Sequence, residues 1–297
     1  MNQHSWARLS AETRGLIYGC IGVACFSLTL PATRAAVADL DPTIVGLGRA
    51  LVGALLAGIY LSLIRQPLPS RAQFKSLLVI GIGMVIGFPL CLSWAVQRVP
   101  ASHGAIVLGL LPLATAVVGA IRAGERPSPA FWAASMVGSA LVVAFTLVTG
   151  DGSVQLADLA LLGAVVTGGI GYAEGGRLAR EMGGAQVISW SLLVAAPFLI
   201  VPVALAIHRH GLTASSAAWL GFAYISSVSA FSGFFAWYRG LALGGIARVS
   251  QLQLLQPFLT LLASALLLGE RITVVAFGFA LAIVACVAIG RKATIAR

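Results

Sequence analysis

The chain is poor in charge: 19 Lys and Arg and 9 Asp and Glu stand among 297 residues. Asn occurs once, at position 2, and Lys twice, at Lys75 and Lys292. A soluble domain of this length needs a shell in which roughly a quarter of the residues are charged, so a soluble globular fold is excluded. Four cysteines (Cys20, Cys25, Cys91 and Cys286) all fall inside apolar runs, with neither disulfide-framework nor zinc spacing. Four histidines, His4, His103, His208 and His210, form no metal-ligand pattern, which makes the case for an intramembrane metalloenzyme thin. No Gly-rich phosphate loop or ATP-binding domain is present, so the chain carries no primary pump of its own, and no cofactor is expected.

What is present is apolar length. Stretches of ~20 residues suit a bilayer core, and ten can be marked: 15–36, 42–64, 76–97, 101–121, 129–148, 156–176, 186–207, 216–238, 244–268 and 272–290. The first follows Arg8 and Arg14 as a signal peptide would, but nine more spans behind it favour a retained helix. The expected fold is an all-α integral membrane protein whose chief partners are the lipid bilayer and a small-molecule substrate. With the N-terminus inside, 14 Lys and Arg fall on the inner side, 4 on the outer, and Arg49 within the second span. That asymmetry obeys the positive-inside rule, places both termini in the cytoplasm, and explains the net charge of +10 as topology, with no nucleic-acid partner.

The strongest pattern is internal. Pro112, Thr115 and Gly124-Glu125-Arg126 recur 145 positions later as Pro257, Thr260 and Gly269-Glu270-Arg271, with 7 of 17 residues identical between 110–126 and 255–271. Trp94 with Trp237 and Arg34 with Arg177 extend the repeat at an offset of 143. Two units follow, residues 1–148 and 149–297. Five spans per unit is odd, so the second unit enters from the opposite side, giving two inverted five-helix repeats around a central cavity.

Ten spans in two such units, with a Pro-to-Gly-Glu signature closing the fourth and ninth, resemble the EamA branch of the drug/metabolite transporter superfamily. The size is similar to that of its YddG-like amino-acid exporters. The resemblance implies alternating access and export of small metabolites across the cell inner membrane. It leaves the oligomeric state open, a monomer included.

Polar groups inside a membrane are costly and so become the candidates. Gln253, Gln256 and Thr260 share one face of the ninth span, suited to a polar cavity or to hydrogen bonds with other helices. Trp94, Trp237, Tyr238, Phe231 and Phe235 offer aromatic surface for cavity walls, or simple packing. Pro112 and Pro257 are expected mid-span kinks and so moving parts. Glu174 and Arg177 suit a local ion pair, and Glu174 is the carboxylate placed to carry a proton if protons drive transport. Arg49 is expected to snorkel outward or to pair with Asp39 or Asp41. His103, at the start of the fourth span, reads as a polar cap or a relay. The Gly-Glu-Arg ends read as architecture. Neutral or zwitterionic substrates, amino acids first, fit these groups. A sugar-phosphate or nucleotide-sugar carrier would need more deep cations, and a channel or intramembrane enzyme is the alternative of a different class.

Overall fold

The computed structural model describes residues 9–123, 126–149 and 155–271, and beyond these 273–275, 277–279, 281–282, 285 and 295–296. Gly124, Glu125 and much of the tenth apolar run lie outside the described residues. Among those described, eight helices are long and apolar enough to cross a membrane. They are α1 (Ala11–Ala36), α2 (Ile44–Leu63), α3 (Arg71–Val96) and α4 (Ala101–Arg122), then α6 (Leu156–Met182), α7 (Gly184–His210), α8 (Ser216–Gly244) and α9 (Ile246–Leu268). The helix α5, Pro129–Thr149, lies between the two sets. Two-residue strands β1 (Arg126–Pro127) and β2 (Ile295–Ala296) pair antiparallel, bringing the end of the chain to the segment between α4 and α5.

Short polar signals start these helices. Ser70 and Gln73 form a reciprocal cap on α3, with Gln73 N–H donating to Ser70 Oγ at 3.3 Å and Ser70 N–H to Gln73 Oε1 at 2.9 Å. Ser10 and Ser215 accept from Thr13 and Ala218 at the starts of α1 and α8. α4 has only Pro100 ahead of it, and its cap comes from afar. Glu270, just past α9, accepts from the Ala101 and Ser102 N–H groups at 3.2 Å each. A carboxylate there also meets the positive end of the helix dipole. Gly269, at φ +68°, makes the left-handed turn that ends α9 and delivers Glu270.

The eighth span runs six residues further than its expected end at 238, reaching Gly244, and meets α9 through one residue. Gly245 carries φ +90° and ψ 139°, a conformation open only to glycine. Arg239 therefore belongs to α8 rather than to a loop.

In lipid, helices associate through close packing rather than hydrophobicity. α1 packs on α8, α3 and α4 on α6, and α2 on α7. The glycine stripe of α1 is used within the chain: a Cβ on Gly240 would lie 2.8 Å from the Gly19 backbone N. On the α3–α6 contact, a Cβ on Gly83 would lie 2.7 Å from the Thr167 carbonyl. At the loops, Asp39 accepts from the Ser215 N–H at 2.8 Å, which holds its carboxyl below the usual range. That tether is present at neutral pH and weakens as acid protonates Asp39.

Gly240→Ala should cost about 1–3 kcal/mol by overpacking two backbones and lower the thermal midpoint of the purified protein. Gly58→Ala is the control, because its Cβ would meet only Leu193 Cδ2 at 3.8 Å. Equal midpoints for the two variants would refute the α1–α8 backbone contact.

Candidate functional site

The helices depart from α geometry near the centre of the bundle. α2 opens as a π segment at Ile44–Gly48, immediately before Arg49. α3 carries one at Gly81–Gly87 and α8 another at Ile225–Ser232. α1 turns at Leu28. α4 and α9 tighten to 3-10 turns at Leu108–Leu110 and Gln251–Leu255, each ending just before the helix that holds Pro112 or Pro257. Proline lacks the N–H and crowds the carbonyl four residues back, and the tighter turn accommodates both. The two prolines thus sit in the first turns of new helical segments, which answers the expected kinks.

These irregular stretches surround a cavity of about 10 Å³, the room of a single water. Its walls come from both halves: Phe26, Thr29 and Leu30 of α1, Arg49 of α2, Met84, Phe88 and Leu92 of α3 and Leu108 of α4, with Tyr172 of α6, Ser229 and Phe234 of α8 and Gln256 of α9 opposite. A second void of the same size shares Arg49, Met84 and Phe234 and reaches Ile188 and Leu192 of α7. In the wall of the first cavity the Thr29 and Ser229 hydroxyls are hydrogen-bonded to each other at 2.8 Å. The other serines of α8 are spent locally: Ser226 and Ser227 donate to the Phe222 and Ala223 carbonyls.

Arg49 departs from its expectation. It is 3% exposed, in ion pair with no described carboxylate, and its Nε has no hydrogen-bond partner. Asp39 is occupied by Ser215, while Asp41 accepts from the Thr43 N–H at 2.8 Å and lies 3.6 Å from His210. Snorkelling fails because the residue follows the π segment inward, where Tyr172 is its neighbour. The Asp41-Pro42-Thr43 sequence held the signal, since an Asp immediately before a helix that opens on Pro is a cap.

On α9, Gln256 lines the cavity and donates to the Phe26 carbonyl at 3.4 Å. Thr260 is fully buried and donates to the Ser27 carbonyl at 2.9 Å, so it braces α9 on α1. Gln253 is 2% exposed beside Tyr172, and neither of its amide atoms makes a well-formed hydrogen bond. Trp237 is buried behind the cavity, its ring 5.3 Å from Tyr172 and 6.1 Å from Phe26, with its indole N–H unpartnered. Tyr238 donates to the Gly171 carbonyl at 3.2 Å. Phe231 and Phe235 instead meet Tyr60, one edge-on and the other tilted, and Trp94 lies under the Arg98 guanidinium at 3.6 Å, so none of these three lines the cavity.

Glu174 sits in an ion-pair cluster away from that cavity. It is 1% exposed and accepts from Arg177 Nη2 at 2.8 Å and Arg122 Nε at 3.2 Å. Arg177 also donates to Ser76 at 2.7 Å and to Glu181 at 3.2 Å, so the cluster ties α3, α4 and α6 at one end. At the other end of α4, His103 Nε2 meets Asp158 Oδ1 at 2.6 Å. Removing the central acid leaves two guanidiniums facing each other. Glu174→Gln should destabilise the fold by about 1–3 kcal/mol, and adding Arg122→Gln should return part of the loss. A single variant as stable as the parent would contradict the cluster's structural role.

The model of the EamA-like transporter family matches twice, over residues 13–149 and 155–290. The uncharacterized transporter YdeK of Bacillus subtilis (strain 168) is 46% identical over 285 residues, covering 96% of this chain and 99% of that one. A solved crystal structure superposes with a TM-score of 0.72 at 20% identity, over 94% of this chain and 98% of its own, a likeness of fold alone. With both of its halves matched, the chain is a multi-pass membrane protein of the EamA-like transporter family.

Proposed function

We propose that this protein is a secondary transporter that exports small organic metabolites across the cell inner membrane by alternating access, with small carboxylates, amino acids among them, as the expected class. The observation that carries the reading is the small central cavity into which Arg49, Thr29, Ser229 and Gln256 bring polar groups, walled by helices of both family repeats and bordered by π and 3-10 segments. Non-helical backbone at membrane depth is tolerated where it lines a cavity or is buried in protein, and π segments gather at functional sites.

The two repeats are, on this reading, inverted five-helix units, ten spans in all. The α1–α8 contact is the counterpart of the α6–α3 contact under a five-helix shift, and the α2–α7 contact is its own counterpart. Inversion sets one end of α4 beside the far end of α9, as the Glu270 cap does. Both termini are placed in the cytoplasm by the bias of basic residues. The Glu174 cluster is architectural, and the protein acts as a facilitator or exchanger. A carrier is favoured over a static pore because the central cavity, of about 10 Å³, has room for a single water and not for a metabolite.

In proteoliposomes, counterflow of the transported metabolite should saturate, and Gln256→Ala should lower the rate at least fivefold at equal expression. A rate linear in concentration would make the protein a channel and overturn the reading. In a cysteine-free background, cysteines at Arg71 and Ser215 should label from opposite faces with an impermeant thiol reagent. Labelling of both from one face would overturn the inverted arrangement.

A further inference from the structure

We propose that Arg49 is the recognition anchor for a carboxylate on the transported molecule, and that an ammonium group on the same molecule is dispensable. The proposal rests on the transporter reading of the same cavity and names the chemistry of its cargo. A buried guanidinium is costly unless paired. Arg49 lines both central voids, is 3% exposed, and has neither an ion-pair partner nor a hydrogen bond to Nε.

The protein's own acids do not compensate it. Every described carboxylate is engaged elsewhere: Glu12 with Arg248, Asp39 with Ser215, Asp41 with Thr43, Asp158 with His103, Glu174 and Glu181 with Arg177, and Glu270 with α4. A fixed, unpaired cation in a cavity is neutralised by a mobile anion. The planar fork of guanidinium matches a carboxylate in two parallel hydrogen bonds. One cation balances one negative charge, which sets a monocarboxylate above a phosphate dianion.

The remaining walls define the rest of the molecule. Phe26, Phe88, Phe234 and Met84 are apolar, while Tyr172 and Gln256 supply neutral polar groups. No described acid stands in the walls to receive an ammonium. A zwitterion would bring a second positive charge to a site that already holds one. The body of the cargo is therefore apolar, with a carboxylate head. The cavity of about 10 Å³ must widen to admit it, and the π segments flanking Arg49, Met84 and Ser229 are where the helices can yield.

The test uses the full-length protein in detergent and matched ligands: 3-phenylpropanoate, its amide, 2-phenylethylamine and phenylalanine, with 4-methylpentanoate, its amide, 3-methylbutylamine and leucine as an aliphatic set. Binding is read by tryptophan fluorescence and by ligand-induced shifts of the unfolding midpoint. In at least one set the carboxylate should bind at least tenfold tighter than its amide and amine, and no weaker than its amino acid. Arg49→Gln should abolish that preference and Arg49→Lys should keep part of it. Without ligand, Arg49→Gln should unfold at a higher temperature than the parent, because an uncompensated buried charge is gone, whereas a structural arginine would give a lower midpoint. Equal binding of acid and amide, tighter binding of amine or amino acid, or no binding by either acid overturns the proposal on the parent protein alone, whatever the variants do. Saturable counterflow that ignores the carboxylate would sink this assignment and leave the transporter reading standing. Absence of saturable counterflow, with the carboxylate preference intact, would sink the transporter reading instead.

Discussion

Backbone polarity is the constraint from which this structure follows. In hydrocarbon every N–H and C=O must find a partner inside the protein, and an unbroken α-helix is the cheapest way to supply one. The regular lengths of α6 and α7 and the local back-bonding of Ser27, Thr33, Thr115 and Ser226 obey that rule. Departures from it need partners, and the departures are found together. The Leu28 turn is braced at Phe26 and Ser27 by Gln256 and Thr260, and the π segment of α8 places Ser229 on Thr29. Thr29, Ser229 and Gln256 both line the cavity and stitch the irregular backbone around it. That double duty explains why polar residues this costly are retained at membrane depth.

Much of the architecture was legible from residues alone, because hydropathic length and glycine spacing act locally. The start of α8 coincides with its apolar run at 216 and the positions of α4 and α9 follow Pro112 and Pro257, whereas α1 and α3 begin four and five residues ahead of their apolar runs, at the caps Ser10 and Ser70. The end of α8 was misread, since Arg239 looks like a loop residue until its helix continues to Gly244. The π segments were not anticipated. Their trace was the clustering of Gly46 with Gly48, of Gly81, Gly83 and Gly87, and of four serines between 226 and 232, composition that also suits ordinary close packing.

The site was less legible than the fold. Gln256 stood out by its helical face, and Trp237 by its kinship with Trp94, yet the two tryptophans do different things: one packs at a tilt against Tyr172, the other lies under Arg98. Sequence proximity suggested that Arg49 pairs with Asp39 or Asp41, but both acids are taken by backbone N–H groups nearer to hand. Tyr172 gave no signal beyond being one aromatic residue in an apolar run. The repeat also conceals asymmetry. At an offset of 143 the position of Arg49 becomes Leu192, which faces it across the second void. The scaffold is duplicated and the chemistry is not.

The Gly245 link has a mechanical consequence. Two helices joined by one residue cannot slide past each other or draw apart at that end; only the angle between them is free. Any tilt of the inner part of α8 must therefore carry the start of α9 with it. The far end of α9 is tied through Glu270 to the first turn of α4. α8, α9 and α4 thus form a linkage with one free joint and one pinned end, and a displacement on one face of the membrane is delivered to the other as rotation.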